Sequence, residues 1–284
     1  MINKAELLSI IERAFKEDVK DGDHTSLACI GKEPKGKARL IIKEDGILAG
    51  IEAAVEVFKY YDPNLKVTTY IKDGENVKYG DIAFHVEGSA LSILTAERIA
   101  LNIMQRMSGI ATKTSKYVKA IEGTGATVID TRKTTPGIRL LEKWAVRIGG
   151  GENHRMGLYD MMMIKDNHVD FCGGIKKAIS AANKYLEEKD LDIAIEIETR
   201  NLDEVRRVME VGRVNRIMLD NFTPQELLKA VNLIDGKFET EASGGITLET
   251  IRSYAETGVQ YISSGALTHS AVSMDMSLKA IIEK

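Results

Sequence analysis

From about residue 125 onward, short apolar or β-branched runs alternate with amphipathic helical segments. The runs are ATVID, MMMIK, DIAIEIE, RIMLD, FETEAS and VQYIS, and between the later ones lie NLDEVRRVMEVG, TPQELLKAVNLI and TLETIRSYAETG. A parallel strand needs a crossover to reach its neighbour, so this rhythm predicts βαβ units with buried strands. Thr223-Pro224, and Thr247 with the acids that follow it, have the capping hydroxyl and acidic first turn of helix openings. A doubly wound sheet and a (β/α) barrel both satisfy the pattern, and the strand ends separate them. The six runs end in Asp130-Thr131-Arg132-Lys133, Lys165-Asp166-Asn167-His168, Glu198, Asp220, Ser243-Gly244-Gly245 and Ser263-Ser264-Gly265. Polar groups at the C-terminal end of every strand are what a barrel gathers into its site. The glycine fingerprint of a nucleotide-binding doubly wound fold, GxGxxG or GxxxxGK[ST], does not occur. The module is shorter than the roughly 250 residues of a complete eightfold barrel. The expected fold is therefore an α/β barrel of six or seven parallel strands that closes incompletely.

The region before it follows a different pattern. MINKAELLSIIERAFKED is an amphipathic helix with Leu7, Leu8, Ile11 and Phe15 on one face, and it lacks the unbroken apolar stretch of a signal peptide. GKARLIIKEDGILAG reads as strand, turn, strand, and IEAAVEVFKYY as a helix. LKVTTYIKDGENVKYGDIAFHVEG reads as part of a small antiparallel sheet. LSILTAERIALNIMQRMSGIATKTSKYVKAI is a long helix with an expected break near Ser108-Gly109. No apolar run reaches the roughly 20 residues that span a bilayer. The 39 Lys+Arg against 42 Asp+Glu leave a net charge of -3, which argues against nucleic-acid binding over the whole surface. Two distant cysteines, Cys29 and Cys172, fit a reduced, cytoplasmic protein.

Three constellations carry chemistry. SGGI at 243–246 and SSGA at 263–266 fall on the last two predicted strands, where barrels often bind phosphate on backbone N–H groups. Ordinary tight turns are the simpler reading of each, and their joint placement favours phosphate. Second, Arg132, Lys133, His154, Arg155 and Lys165 lie at or near loops of the same barrel face, interleaved with Gly, Pro and Thr rather than spaced along a helix. Such cations repel each other unless a polyanion joins them, and arginine forks suit carboxylate and phosphate. Arg139 and Arg147 fall on the helix-like PGIRLLEKWAVRI, where a surface role is equally apt. Third, Glu198 and Asp220 end consecutive strands and should enter one pocket, suited to sugar hydroxyls or to a hard Mg²⁺ ion carried by phosphate. Glu196 faces the same way as Glu198, toward the pocket or into a buried ion pair. His24 reads as a loop residue and Met161, Met162 and Met163 as core. His154 and His168 form no zinc pattern with the cysteines, and no GxSxG elbow supports a serine hydrolase.

The segments KEDVKDGDHTS, AERIALNIMQRMSGIAT, DTRKTTPGIRLLEKWAV, GGGENHRMGLYDMMMIKDNH, IEIET, IMLDN, EASGGI and ISSGALTHS closely resemble, in order, the quinolinate phosphoribosyltransferase family, also called carboxylating nicotinate-nucleotide pyrophosphorylases. The resemblance implies a cytoplasmic pentosyltransferase of NAD biosynthesis. It would pass the phosphoribosyl group of phosphoribosyl pyrophosphate to quinolinate, giving nicotinate mononucleotide, pyrophosphate and CO₂. It implies an N-terminal α/β sandwich domain over 1–109 and an open barrel over 110–284, with the extreme C-terminus free to pack back on the first domain. It also implies a homodimer, or a hexamer of dimers, with shared active sites. Arg98 matches the arginine that the family supplies from the neighbouring chain. Arg132, His154, Arg155 and Lys165, with Thr131 and Lys133 adjacent, match the quinolinate-binding residues. Glu198 and Asp220 match the acids engaging the phosphoribosyl hydroxyls and Mg²⁺. Ser243, Gly244 and Gly245 with Ser264, Gly265 and Ala266 match the 5-phosphate loops. Lys133, Lys165, Glu198 and Asp220 are the side chains expected nearest the chemistry, with Mg²⁺ carried on the pyrophosphate and no organic cofactor. The competing readings are a relative acting on a monocarboxylate such as nicotinate, a Schiff-base lyase built on Lys165, and a non-catalytic binding protein.

Overall fold

The computed structural model describes residues 3–30 and 34–282. In chain order the first elements are α1 (Lys4–Asp18), α2 (His24–Cys29), β1 (Lys35–Ile42), β2 (Gly46–Ile47), α3 (Ile51–Tyr61), β3 (Lys66–Thr69), β4 (Asn76–Val77), β5 (Ile82–Ser89) and α4 (Ala90–Ala120). There follow β6 (Thr127–Ile129), α5 (Arg139–Ile148), β7 (Met162–Ile164), α6 (Asp166–Cys172), α7 (Ile175–Lys189), β8 (Ile195–Thr199), α8 (Leu202–Val211) and β9 (Arg216–Asp220). The last are α9 (Pro224–Ile234), β10 (Glu239–Ser243), α10 (Ile251–Ala255), β11 (Tyr261–Ser263), α11 (Ala266–His269) and β12 (Met276–Ala280). The chain divides into two compact units, one of residues 1–115, 134–150 and 267–284, the other of residues 116–133 and 151–266.

The first unit is built on an antiparallel sheet of order β12-β1-β5-β3. Leu40, Ile42, Phe84 and Val86 of this sheet are buried, and Phe58 of α3 meets Phe84 edge-on at 5.9 Å. Helix α1 buries Leu7, Ile10, Ile11 and Phe15, with Leu8 only half-buried, and the Phe15 ring stacks on Tyr60 and Tyr61 of α3. β1 and β2 do not form a hairpin: β1 pairs with β5 and β12, and β2 pairs with β4. His24 opens α2 instead of lying in a loop, and it faces Asp21 at 3.6 Å.

The expected break in the long helix does not occur, for α4 runs unbroken through Ser108 and Gly109. Ser108 donates its hydroxyl to the Ala49 carbonyl and accepts from the Ala49 N–H, at 3.0 and 2.8 Å. Gly109 lies directly against the backbone of Val272 and Ser273. The small pair that signals a break in sequence is here a place where other backbone comes close. In the same unit the buried Glu142 carboxylate accepts from Arg106 Nε and Nη2 and from the Thr135 N–H and hydroxyl. That carboxylate fixes the start of the loop that follows Asp130-Thr131-Arg132-Lys133.

The second unit holds all six expected strands in one parallel sheet of order β6-β11-β10-β9-β8-β7. Its faces alternate. Ile195, Ile197, Ile217, Leu219, Ala242 and Ile262 are buried on one side, while Glu196, Arg216, Glu239, Glu241 and Tyr261 share the other by register. Glu152 adds a single parallel bridge beyond β6, at Ile129. His154, two residues later, nevertheless touches Glu196 of β8 and Glu241 of β10. On a flat sheet with strands about 4.8 Å apart, that segment and β8 would be separated by about 24 Å. The sheet therefore curls around its charged face into an open barrel.

Local details differ from expectation at two places. Thr223 caps α9 reciprocally with Glu226 as foreseen, but Thr247 does not open a helix, and α10 begins only at Ile251. Met161, Met162 and Met163 are half-buried instead of core, because β7 is the sheet's open edge. A sharp test of the packing is Gly109→Ala. Helix propensity alone favours alanine by about 1 kcal/mol, yet an added Cβ would overlap the Val272 carbonyl. The variant is expected to lose about 1–3 kcal/mol of stability in urea denaturation, and a gain would refute the close approach.

Candidate active site

The strand ends of the second unit bring a chain of polar groups together. Lys165, after β7, places Nζ 3.4 Å from Glu198 Oε2 at the end of β8. Burial pushes the Glu198 carboxyl above its usual range; Lys165 opposes this and the charge of Asp220 at the end of β9 adds to it. Asn221 donates from Nδ2 to Asp220 Oδ2 at 2.6 Å, and from its backbone N–H to the Ser243 carbonyl at 2.9 Å. Gly244 follows with φ +99, and any Cβ there would overlap the Asn221 side chain. Only glycine fits that position on both counts. Gly245, at φ +62, has open space where a side chain would be. Ser264 is buried instead: its N–H donates to the Ile129 carbonyl and its hydroxyl to the Ile246 carbonyl, tying the loop after β11 to β6 and β10.

Two arginines stand apart from this chain of acids. Arg132 is half-buried, and its Nε is buried with no hydrogen-bond partner among the described residues. Arg155 is buried and donates to the Met161 carbonyl at 3.1 Å; burial and then the charge of Arg132 act against its own charge. Glu196 and Asp160 offset that repulsion in part, and the unused buried donor of Arg132 is one that an anion could take. Lys133 is exposed, and its N–H donates to the Thr131 hydroxyl in a local turn. Arg98 is exposed on α4, Arg147 is exposed on α5, and Arg139 donates to the Thr134 hydroxyl; all three belong to the first unit.

Below the rim, the charged inner face forms a cluster only half visible in sequence. His154 Nε2 lies 2.9 Å from Glu196 Oε2 and 3.2 Å from Glu241 Oε2, and all three residues are buried. Glu196, left open between pocket and ion pair, takes the ion pair. Glu241 has a weak signal in sequence: ETEAS sets it two residues before Ser243 on the same face, just as DIAIEIE sets Glu196 before Glu198. Arg216 completes the cluster, reaching Glu241 at 3.2 Å and Glu239 at 3.0 Å, with its guanidinium 3.9 Å over the Tyr261 ring. Asp130 accepts from the His154 N–H at 2.9 Å and from Asn153 at 2.6 Å.

The cluster retains a proton. Burial opposes charge on His154, but the hydrogen bonds and charges of Glu196 and Glu241 outweigh it and push the ring up to about 9. Burial and then the charge of Glu241 push Glu196 up to about 7, against the pull of His154. Burial also opposes ionisation of Glu241, yet hydrogen bonds from His154, Ser263 and Glu196 draw it below the usual range. Such values belong to the trio rather than to one member. The Arg155 N–H donates to His154 Nδ1 at 2.6 Å, so the ring's own proton is on Nε2 and the extra proton lies toward the acids. The three side chains could by position hold a metal ion. Their charge is already balanced by Arg216 and the retained proton, which makes them an ion-pair cluster.

Two family models match the chain: the quinolinate phosphoribosyl transferase N-terminal domain over residues 23–108 and its C-terminal domain over residues 110–279. A quinolinate phosphoribosyltransferase [decarboxylating] of Nicotiana glauca is 48% identical over 289 residues, covering 96% of this chain and 82% of that protein. A probable nicotinate-nucleotide pyrophosphorylase [carboxylating] of Bacillus subtilis is 41% identical over 277 residues, covering 98% and 94%. The crystal structure of NadC from Streptococcus pyogenes superposes with a TM-score of 0.93 at 38% identity, covering 99% of each chain.

The retained proton has a consequence for stability. The proton affinity of the His154–Glu196–Glu241 trio is raised in the folded state, so the stabilisation is complete below the ring's ordinary value of 6.5 and is lost as pH rises through about 9. The unfolding free energy of the wild type is expected to fall by on the order of 2 kcal/mol across that window. His154→Gln should flatten the profile, and urea titrations with equal slopes for both proteins would contradict the assignment.

Proposed function

The chain belongs to the quinolinate phosphoribosyltransferase family, and we propose that quinolinate and phosphoribosyl pyrophosphate meet at the strand ends of its open barrel. The reaction is transfer of the phosphoribosyl group to quinolinate with loss of CO₂, a pentosyl transfer of NAD biosynthesis that gives nicotinate mononucleotide and pyrophosphate. The observation that carries the assignment of the site is the Arg132–Arg155 pair: two mutually repelling guanidinium groups, one with a buried donor unpaired, suit the two carboxylates of quinolinate. We assign Thr131, Lys133 and Lys165 to quinolinate as well, with Lys165 bridging to Glu198 on the sugar-phosphate side. His154 supports the quinolinate side from beneath, and the partner subunit's Arg98 joins it in a homodimer or a hexamer of dimers.

Phosphoribosyl pyrophosphate takes the other side. The loops Ser243-Gly244-Gly245 and Ser264-Gly265-Ala266 receive the 5-phosphate; the left-handed Gly244 and Gly245 expose backbone there. Glu198 and Asp220 receive the ribose hydroxyls. They also suit Mg²⁺ carried with the pyrophosphate, since the Asp220 charge disfavours ionisation of Glu198 and a cation there would relieve it. Bound there, Mg²⁺ would supply charge neutralisation of the leaving group. Lys165 and Lys133 hold pyrophosphate and carboxylate by charge. The ring nitrogen's lone pair then forms the bond to the anomeric carbon as the bond to pyrophosphate oxygen breaks, through a transition state of oxocarbenium character. The pyridinium nitrogen afterwards stabilises the electron pair left on the adjacent ring carbon when the carboxylate departs as CO₂, and that carbon is protonated. Positioning and fixed charge supply the acceleration.

The rival lyase is disfavoured by the surroundings of Lys165, which is half-exposed and paired with a carboxylate rather than enclosed in an apolar pocket. A monocarboxylate substrate would leave one of the paired arginines without a partner. Among the described residues no helix is long and apolar enough to cross a membrane; separately, the two distant free cysteines accord with the cytoplasmic location included in the proposal. Incubation with quinolinate, phosphoribosyl pyrophosphate and Mg²⁺ is expected to yield nicotinate mononucleotide and CO₂, with turnover lost on chelation and restored by Mg²⁺. Arg132→Ala should keep its fold by circular dichroism while quinolinate binding weakens by on the order of 2 kcal/mol or more. Unchanged calorimetric affinity would remove Arg132 from the site.

A further inference from the structure

Both ring nitrogens of His154 are engaged inside the protein, one by carboxylates of β8 and β10 and the other by the backbone N–H of Arg155. The ring is thus a strut between the inner face of the sheet and the backbone of the arginine. The segment that carries it, from the Glu152 bridge to β7, has no regular secondary structure. Side-chain contacts hold it instead. Asp130 takes Asn153 and the His154 N–H, and Asp160 takes the N–H groups of Met156 and Gly157. The Arg155 guanidinium is held by the Met161 carbonyl at 3.1 Å and the Met163 sulfur at 3.7 Å, and its backbone N–H by the His154 ring, so the direction of the side chain depends on where that ring sits. Two carboxylates from strands on either side of β9, at 2.9 and 3.2 Å from Nε2, confine the ring from both sides.

We propose that Glu196 and Glu241 are positioning residues for quinolinate recognition: gripping the His154 ring within the barrel, they fix the turn that keeps Arg155 aimed at the dicarboxylate beside Arg132. This rests on the assignment of the Arg132–Arg155 side to quinolinate. The two glutamates touch neither substrate and act through His154. Their effect is therefore selective, falling on the dicarboxylate and sparing phosphoribosyl pyrophosphate, whose groups lie along Glu198, Asp220 and the glycine loops.

Glu241→Gln keeps the size of the side chain and removes its charge. In the otherwise intact enzyme, KM for quinolinate is expected to rise about tenfold or more while KM for phosphoribosyl pyrophosphate stays within about twofold. Glu196→Gln is expected to act in the same direction more weakly, because an amide resembles the proton-bearing acid already present. A purely structural role would instead lower the melting temperature and the active fraction with both KM values unchanged. That result, or equal rises in both KM values, overturns the proposal. Should Glu241→Gln not fold, the calorimetric affinity of Glu196→Gln for each substrate decides: a loss confined to quinolinate supports the grip, and unchanged affinities reject it. Absence of quinolinate turnover in the wild type would reject the functional assignment itself, independently of either variant.

Discussion

The second unit depends on keeping charge inside a curled sheet. Parallel strands usually bury apolar residues on both faces, but here one face carries Glu196, Arg216, Glu239, Glu241 and Tyr261. Removing such groups from water is strongly unfavourable unless every charge meets a partner. His154 and Arg216 provide those partners, and His154 can do so only if the sheet curls far enough to bring β8 and β10 to the segment beside β6. Neutralising the charge and closing the barrel are thus one requirement. The apolar residues of the opposite face, Ile195, Ile197, Ile217 and Leu219 among them, supply the ordinary hydrophobic drive.

The same cluster separates two electrostatic regimes. Within the barrel, acids and bases balance through Arg216 and a retained proton. At the rim Arg155 feels the like charge of Arg132, offset by the charges of Glu196 and Asp160, while Lys165, following the strand whose Met163 Arg155 touches, pairs with Glu198 beside Asp220. On the function proposed above, one barrel mouth holds both anionic reactants close enough to react.

Glycine and small residues contribute by letting backbone approach. Gly244 must adopt a left-handed conformation against Asn221, which is itself held to Ser243. Gly109 and Ser108 let other segments lie on α4, an arrangement that helix propensity would never select. In both cases the residue is decided by what stands next to it in space.

Much could be read from the chain alone. The six strand–helix repeats set the fold class, and the motifs from Asp130 to His168 carried the family. Such features are legible because period and strand-end chemistry are local. Partners distant in sequence were not. That Glu196 turns to an ion pair, that Glu241 joins it, that His154 spends both ring nitrogens internally and that Ser264 ties loops together all depend on how far the sheet curls. So does the contrast between an unbroken α4 and the break its Ser-Gly pair suggested. The sequence by itself determined the order of elements and which residues could bear charge; tertiary structure decided which charges meet, because burial and separation are properties of the closed barrel.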